Sequence, residues 1–255
     1  MSLKLEKFSA GYRSWQTQKV SLEIPTHGLT ALLGPNGSGK TTLLNGMMGL
    51  IGHKGSITVN GMQLGAAGSK VLSQHLSYLP QRYQFTYPIS VEEVILMGFN
   101  PEMRLFERYS RKQRELAGAG LRQIGLESVI NDDFLHLSEG QRQRVMLARS
   151  LVQNTSVLLL DEPDSAMDFS VRHEVMTLLR MIIQRDLRCG LVVLHDPSLA
   201  LKYCDRIELF KNGSIIGNIM TAVDDSDTIR QKLSLLYGNI GVYQTPDGHY
   251  IIDAI

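Results

Sequence analysis

Along this chain, two-residue alternation and near-continuous apolar runs at the ends flank a middle stretch of helical spacing. Leu3, Leu5 and Phe8, then Val20, Leu22 and Ile24, predict two short strands. Residues 28–33, Gly-Leu-Thr-Ala-Leu-Leu, are apolar almost throughout, as in a strand buried on both faces. A glycine-rich turn and a helix over about 39–50 are expected next, then strands at 55–61 and 75–79. From 90 to about 137 the spacing turns helical, amid Arg, Glu and Gln. Strand texture returns at 156–161, followed by a helix to about 187 and a strand ending at His195. Residues 241–255 hold two alternating runs around Pro246-Asp-Gly248 and predict a hairpin. The expected fold class is α/β, a nucleotide-binding core with a helical insertion, without internal repeats or low-complexity linkers.

Composition narrows the possible functions. Of 255 residues, 43% are hydrophobic and 20% charged, enough for a sizeable core. Lys and Arg number 26 against 25 Asp and Glu, so the basic excess of a dedicated nucleic-acid binder is missing. Arg104, Arg108, Arg111, Lys112 and Arg114 form a local basic run, but Glu107 and Glu115 interrupt it, as on a solvated helix face. Cys189 and Cys204 have no metal-ligand spacing and read as two reduced core thiols. No signal-peptide core stands at residues 1–8, and apolar runs such as 157–160 and 190–194 are much too short to span a bilayer. A soluble chain is expected. If it moves a solute, another chain must supply the path.

Gly34-Pro-Asn-Gly-Ser-Gly-Lys-Thr41 matches the phosphate-binding loop pattern, and it stands after a buried strand and before a helix. Gly34, Pro35, Asn36, Gly37, Ser38 and Gly39 allow close wrapping, so that successive N–H groups face phosphate oxygens. The helix start, with Thr42, adds its positive dipole end. Lys40 would reach the β- and γ-phosphates of ATP and Thr41 would offer a hydroxyl to Mg²⁺. Val157-Leu-Leu-Leu-Asp-Glu-Pro163 is an apolar strand that delivers two carboxylates to the ligand edge of the sheet. Asp161 is the expected Mg²⁺ partner and Glu162 the general base. His195 ends a parallel strand and could sense the γ-phosphate. Gln81, after Tyr78-Leu-Pro80, gains a role only from the motifs around it.

Leu137-Ser-Glu-Gly-Gln-Arg-Gln-Arg144 resembles the signature motif of ATP-binding cassette (ABC) ATPases, with the remaining family elements in order around it. The resemblance covers essentially the whole chain. It implies a phosphate-loop (RecA-like) core with an antiparallel β subdomain over about 1–88 and 156–255, and a helical signature subdomain over about 89–155, in one domain. It makes Tyr12 the adenine-stacking aromatic, Gln81 the coupling glutamine that joins the Mg²⁺, Ser165-Ala-Met-Asp168 the D-loop and His195 the switch histidine. It also implies that Ser138, Gly140 and Gln141 act on a partner's ATP, in a head-to-tail homodimer or with a paired cassette, under two polytopic permease subunits. The expected location is peripheral, on the cytoplasmic face of the inner membrane.

Two residues depart from the family pattern. Glu139 replaces the first signature glycine: pointing away it suits the helix N-terminus, and pointing inward it weakens closure. Met167 replaces leucine, a volume-conserving change. Tyr87-Pro-Ile-Ser-Val-Glu-Glu-Val-Ile-Leu-Met-Gly98 resembles cassettes of iron–siderophore, haem and cobalamin importers, as do residues 195–206, 210–213, 236–238 and 246–248. That implies an external solute-binding protein and a metal-chelate solute. The rivals are an exporter cassette, a repair or ribosomal ABC ATPase, and a small-molecule kinase. A long coiled-coil insertion, a second cassette or an acceptor lid would mark the last three, and none is read here.

Overall fold

Two sheets lie either side of a single helix in a computed structural model that describes residues 2–64 and 68–254. β1 (Leu3–Tyr12) pairs antiparallel with β2 (Trp15–Gln16) and β3 (Val20–Ile24). Its alternation breaks at Lys7, whose φ of 47° forms a bulge where both neighbouring registers shift. The bulge explains why Phe8 follows Leu5 by three positions yet still faces inward.

β4 (Leu29–Leu33) leads through the glycine loop to α1 (Lys40–Met47). This helix ends three residues before the sequence suggests, because Gly49 adopts a left-handed φ of 65°. β5 (His53–Val59) and β6 (Met62–Gln63) follow, joined by Asn60-Gly61 with both φ values positive, the chemistry of a two-residue hairpin turn. β1, β2, β3, β5 and β6 form the antiparallel sheet.

α2 (Ser69–Leu72) and β7 (Leu76–Leu79) precede three helices that pack on one another: α3 (Val91–Leu96), α4 (Arg111–Gln123) and α5 (Glu139–Val152). Each starts with a reciprocal capping box, Ser90 with Glu93, Ser110 with Gln113 and Ser138 with Gln141. β8 (Val157–Asp161), α6 (Phe169–Arg185), β9 (Cys189–Leu194), α7 (Pro197–Tyr203), β10 (Arg206–Lys211) and β11 (Ser214–Met220) complete the larger sheet. Its order is β11-β10-β4-β9-β8-β7, parallel except for β11. Strands β4, β8 and β9 are buried at every position, which accounts for their unbroken apolar runs. α8 (Ser226–Tyr237) and the hairpin β12 (Ile240–Gln244) with β13 (Tyr250–Ala254) close the chain. Ile255, expected in that hairpin, lies outside the described residues.

The core falls in two clusters on opposite faces of the parallel sheet. One, built around Phe8, Leu43, Leu44 and Met47, joins α1 to the antiparallel sheet. The other runs without interruption from β4, β8 and β9 into α3, α4 and α5, so the helical layer shares its core with the sheet. The basic run lies in and just before α4, where Arg111 pairs with Glu115 and Arg114 with Glu92 at the surface. Both cysteines are buried free thiols, and burial pushes the Cys189 thiol up to about 11. Among the described residues no helix is long and apolar enough to cross a membrane.

Candidate active site

The parallel strands end together, and the loops at those ends carry the chemistry. β4 stops at Leu33, and α1 begins at Lys40. The residue between loop and helix, Gly39, has a φ of 100° and makes no side-chain cap. A Cβ there would lie 2.2 Å from the Trp15 ring, so glycine is required both by conformation and by space. No capping side chain therefore covers the first-turn amides, which is what an anion site at a helix start requires. Lys40 is 5% exposed and donates to the carbonyls of Gly34 (2.8 Å) and Pro35 (3.1 Å). Burial lowers its pKa, against the pull of Glu162 and Asp161.

Across the pocket, β8 delivers Asp161 and Glu162. Asp161 is wholly buried, and burial raises its carboxyl to about 6, countered by the Thr41 hydroxyl and Lys40. Its Oδ2 lies 3.5 Å from the Tyr78 hydroxyl, which donates to Asn45 Oδ1 at 2.9 Å. Its Oδ1 is buried with no partner. Glu162 sits in the left-handed region at φ 53°, a conformation a non-glycine residue holds only when its surroundings impose it. Its N–H donates to Val193 O, and its carbonyl accepts from Gln143 Nε2 at 2.7 Å. Its side chain is clamped on both oxygens, by Gln81 Nε2 at 2.7 Å and by His195 Nε2 at 2.5 Å. Asn36, Gly37, Gly39, Lys40, Thr41 and Thr42 face this clamp across one pocket.

The second glycine-bearing helix start is different. Ser138 caps α5 by accepting from Gln141 N at 3.3 Å, and Gln141 Oε1 accepts from Ser138 N at 2.9 Å. Glu139 runs along the exposed side of the helix toward Arg142, 3.6 Å away. Ser138, Gly140 and Gln141 do not line the phosphate pocket of their own chain.

Residues 17–165 match the family model described as ABC transporter. The chain belongs to the ABC transporter family. It is 35% identical over 226 residues to the manganese transport system ATP-binding protein MntB of Listeria innocua, covering 88% of this chain and 90% of that protein. It is 34% identical over 203 residues to the hemin import ATP-binding protein HmuV of Vibrio anguillarum, covering 78% and 76%. Its fold superposes on a chain of an inward-facing metal-chelate type ABC transporter with a TM-score of 0.81, at 23% identity and 99% and 97% coverage. It also matches a dimeric ATP-binding cassette bound to ADP and phosphate, with a TM-score of 0.77 at 24% identity and 86% and 98% coverage. The chain is thus an ABC ATPase cassette, with a RecA-like core, an antiparallel β subdomain and a helical subdomain.

Within this cassette, Lys40, Thr41, Gln81, Glu162 and His195 meet in one pocket, with Asp161 behind them. Asp168 starts α6 without a side-chain cap bond, and Met167 packs against the main core. Tyr12 does not join the pocket lining. It is 55% exposed on the β1–β2 hairpin, directly opposite Trp15, and Trp15 is the aromatic that touches the phosphate loop. Sequence reading passed over Trp15, although a single tryptophan three residues beyond Tyr12 is a signal. It also passed over Gln143, whose amide ties α5 to the Glu162–Ala166 turn. The clue is a polar residue between Gly140 and Leu147 on the buried stripe.

The residues at the end of β8 suit Mg²⁺ delivered on a nucleotide. Among the described residues no three His, Cys, Asp or Glu side chains cluster as a metal cage. One buried carboxylate with an unpartnered oxygen, next to a threonine hydroxyl, fits a cation that brings its own phosphate and water ligands.

Proposed function

We propose that this cassette drives a metal-chelate importer from the cytoplasmic face of the inner membrane. It would act as a homodimer beneath two polytopic permease subunits, with an external solute-binding protein. The observation that carries the hydrolytic reading is the Glu162 carboxylate, held between Gln81 and His195 at the mouth of the phosphate loop. The loop amides and Lys40 bind the β- and γ-phosphates, with Lys40 leaving the carbonyls of Gly34 and Pro35 for phosphate oxygens. Thr41, Asp161 and Gln81 would hold Mg²⁺, which neutralises charge on the β- and γ-phosphates.

Glu162 orients a water for in-line attack on the γ-phosphorus and takes its proton as the P–O bond to ADP breaks. In the present geometry both Glu162 oxygens are engaged. A γ-phosphate that draws the His195 imidazole to itself frees one of them, which makes the base active only when ATP is bound. Tyr12 and Trp15, neighbours on one face of the hairpin, border the approach to the loop and are available to stack on the adenine.

The signature residues Ser138, Gly140 and Gln141, outside their own chain's pocket, act on the partner's nucleotide, together with the D-loop residue Asp168. A groove of about 800 Å³ between the core and the helical layer, lined by Met48, Leu50, Arg82, Met97, Pro101 and Arg149, is the docking place proposed for the permease. Thr41 and Gln81 also border it, so a shift of the docked permease is felt at the catalytic clamp. A metal-chelate solute is supported by the hemin and metal-chelate relatives.

Two measurements test the proposal. Glu162→Gln should bind ATP with unchanged affinity yet release phosphate about 10³-fold more slowly. Phosphate release at the parent rate rejects Glu162 as the base. The same variant, tagged and loaded with ATP and Mg²⁺, should recover a polytopic permease from solubilised membranes. Recovery of ribosomes or repair proteins instead rejects the importer reading.

A further inference from the structure

Among the described residues the Gln143 amide is the side-chain group from another element that holds the main chain of Glu162, whose carbonyl also accepts from Ser165 Oγ at 3.1 Å within the turn. Gln143 is 5% exposed and uses both ends of its amide. Nε2 donates to the Glu162 carbonyl at 2.7 Å and lies 3.4 Å from Ser165 Oγ, while Oε1 accepts from Ala166 N at 3.1 Å. One turn earlier, Gly140 packs so close to the same turn that a Cβ would lie 2.9 Å from Ala166 O. The start of α5 is therefore docked on the 162–166 turn by backbone contact and by an amide with two satisfied bonds. Glu162, for its part, is fixed at a strained φ of 53° between β9 on its N–H side and Gln143 on its carbonyl side.

We propose that Gln143 is a positioning residue that couples the signature end of α5 to the catalytic glutamate of the same chain. The idea rests on the head-to-tail dimer and on Glu162 as base. When one chain's Ser138–Gln141 turn engages the partner's nucleotide, α5 shifts. Gln143 carries that shift to the Glu162 peptide and hence to the carboxylate that serves the first chain's own ATP. The two sites of a dimer are then linked through the interior of each protomer, as well as across the interface.

The test compares Gln143→Glu and Gln143→Leu with the parent in steady-state ATP hydrolysis by the purified chain. Protonated glutamic acid reproduces both bonds of glutamine, with an O–H for the Glu162 carbonyl and a C=O for Ala166 N. Ionised, it has no donor and faces that carbonyl with negative charge. Gln143→Glu should lose about 10²-fold in kcat at pH 8, the scale of a misplaced catalytic group. Its KM for ATP should stay within about twofold of the parent, as expected when ground-state binding is untouched. Its Hill coefficient for ATP should fall from about 2 to about 1. The ratio of variant to parent kcat should recover as pH falls from 8 to 6, which a merely structural defect would not do. Gln143→Leu should be slow at every pH.

A pH-independent ratio with an unchanged Hill coefficient overturns the proposal, as does parent-like kcat in folded Gln143→Leu. If Gln143→Leu fails to fold, the near-isosteric Gln143→Glu still decides through its pH profile. If Glu162→Gln forms no ATP-dependent dimer, the head-to-tail reading itself fails, and this inference fails with it for a separately visible reason.

Discussion

One chain holds two glycine-bearing helix starts, and they are built in opposite ways. α1 begins at Gly39 in a left-handed conformation, without a side-chain cap, under Trp15 and facing the Glu162 clamp. α5 begins at Ser138, already satisfied by its own capping box, exposed, and with Glu139 paired to Arg142. The first start leaves its amides to a ligand and has catalytic groups within the same pocket. The second is complete in the free chain, and Ser138, Gly140 and Gln141 do not line that pocket. On the function proposed above, the same positive helix end serves as a resident phosphate site in one place and as a surface for a visiting phosphate in the other. A single copy then holds both halves of the proposed catalytic centre, but not in one place.

The largest effect expected is at the α1 start. Gly39→Ala forces a Cβ into Trp15 at a φ of 100°, so ATP affinity should fall by at least about 10²-fold in a nucleotide-binding titration. Retained affinity would mean that the loop yields more easily than its contacts indicate.

Asp161→Asn should weaken Mg²⁺-dependent ATP binding, yet raise the melting temperature of the nucleotide-free chain by several degrees at pH 7.5. The sign follows from its carboxyl, raised from 3.8 to about 6 chiefly by burial. Between those values the folded state binds more protons than the unfolded one, so stability falls as pH rises through this window. The charge then costs on the order of 3 kcal/mol above pH 6, at 1.36 kcal/mol per pKa unit. The advantage of Asn over the parent should shrink toward pH 4 in a thermal melt series. An equal shift at pH 4 and pH 7.5 would remove the buried charge as its cause.

At the α5 start the effects are smaller. Ser138→Ala removes the cap and should cost about 1 kcal/mol in a denaturant unfolding curve. Its effect on turnover should appear as weaker dimer closure, with each chain's own ATP affinity kept. Smallest of all, Glu139→Gln should lower stability by only about 0.3–1 kcal/mol through lost interaction with the helix dipole. If instead it strongly increases ATP-driven dimerisation, the carboxylate faces the partner's phosphate and not only Arg142.

What the sequence revealed divides along similar lines. The phosphate loop, the apolar β8 strand and the signature helix are written in contiguous residues, so their backbone conformation follows from local chemistry. The left-handed turn at Asn60-Gly61 and the three Ser-x-x-Glu/Gln capping boxes are equally local yet went unread, and the strand expected through residue 61 stops at Val59, where that turn begins. The clamp on Glu162 was legible only as separate strand ends. Gln81 and His195 come from sequence-distant loops and meet only once β7, β8 and β9 align in parallel. Gln143 and Trp15 were missed because each acts through a neighbour brought by packing. The pairing of Tyr12 with Trp15 shows the limit at a finer scale, since motif position favoured Tyr12 while the hairpin register puts Trp15 on the loop. The end of α1 was misjudged because Gly49 stops the helix by its backbone conformation, against the apolar spacing.

The division of labour between the two helix starts can be tested by mixing two inactive chains. Lys40→Ala disables the phosphate loop and leaves α5 intact, and Ser138→Arg does the reverse. Each alone should show no ATP hydrolysis above background. Mixed in equal amounts with ATP and Mg²⁺, they should regain hydrolysis, because one site of the mixed dimer joins an intact loop to an intact signature. A mixture as inactive as its components, under conditions where the parent chain dimerises, would contradict the account.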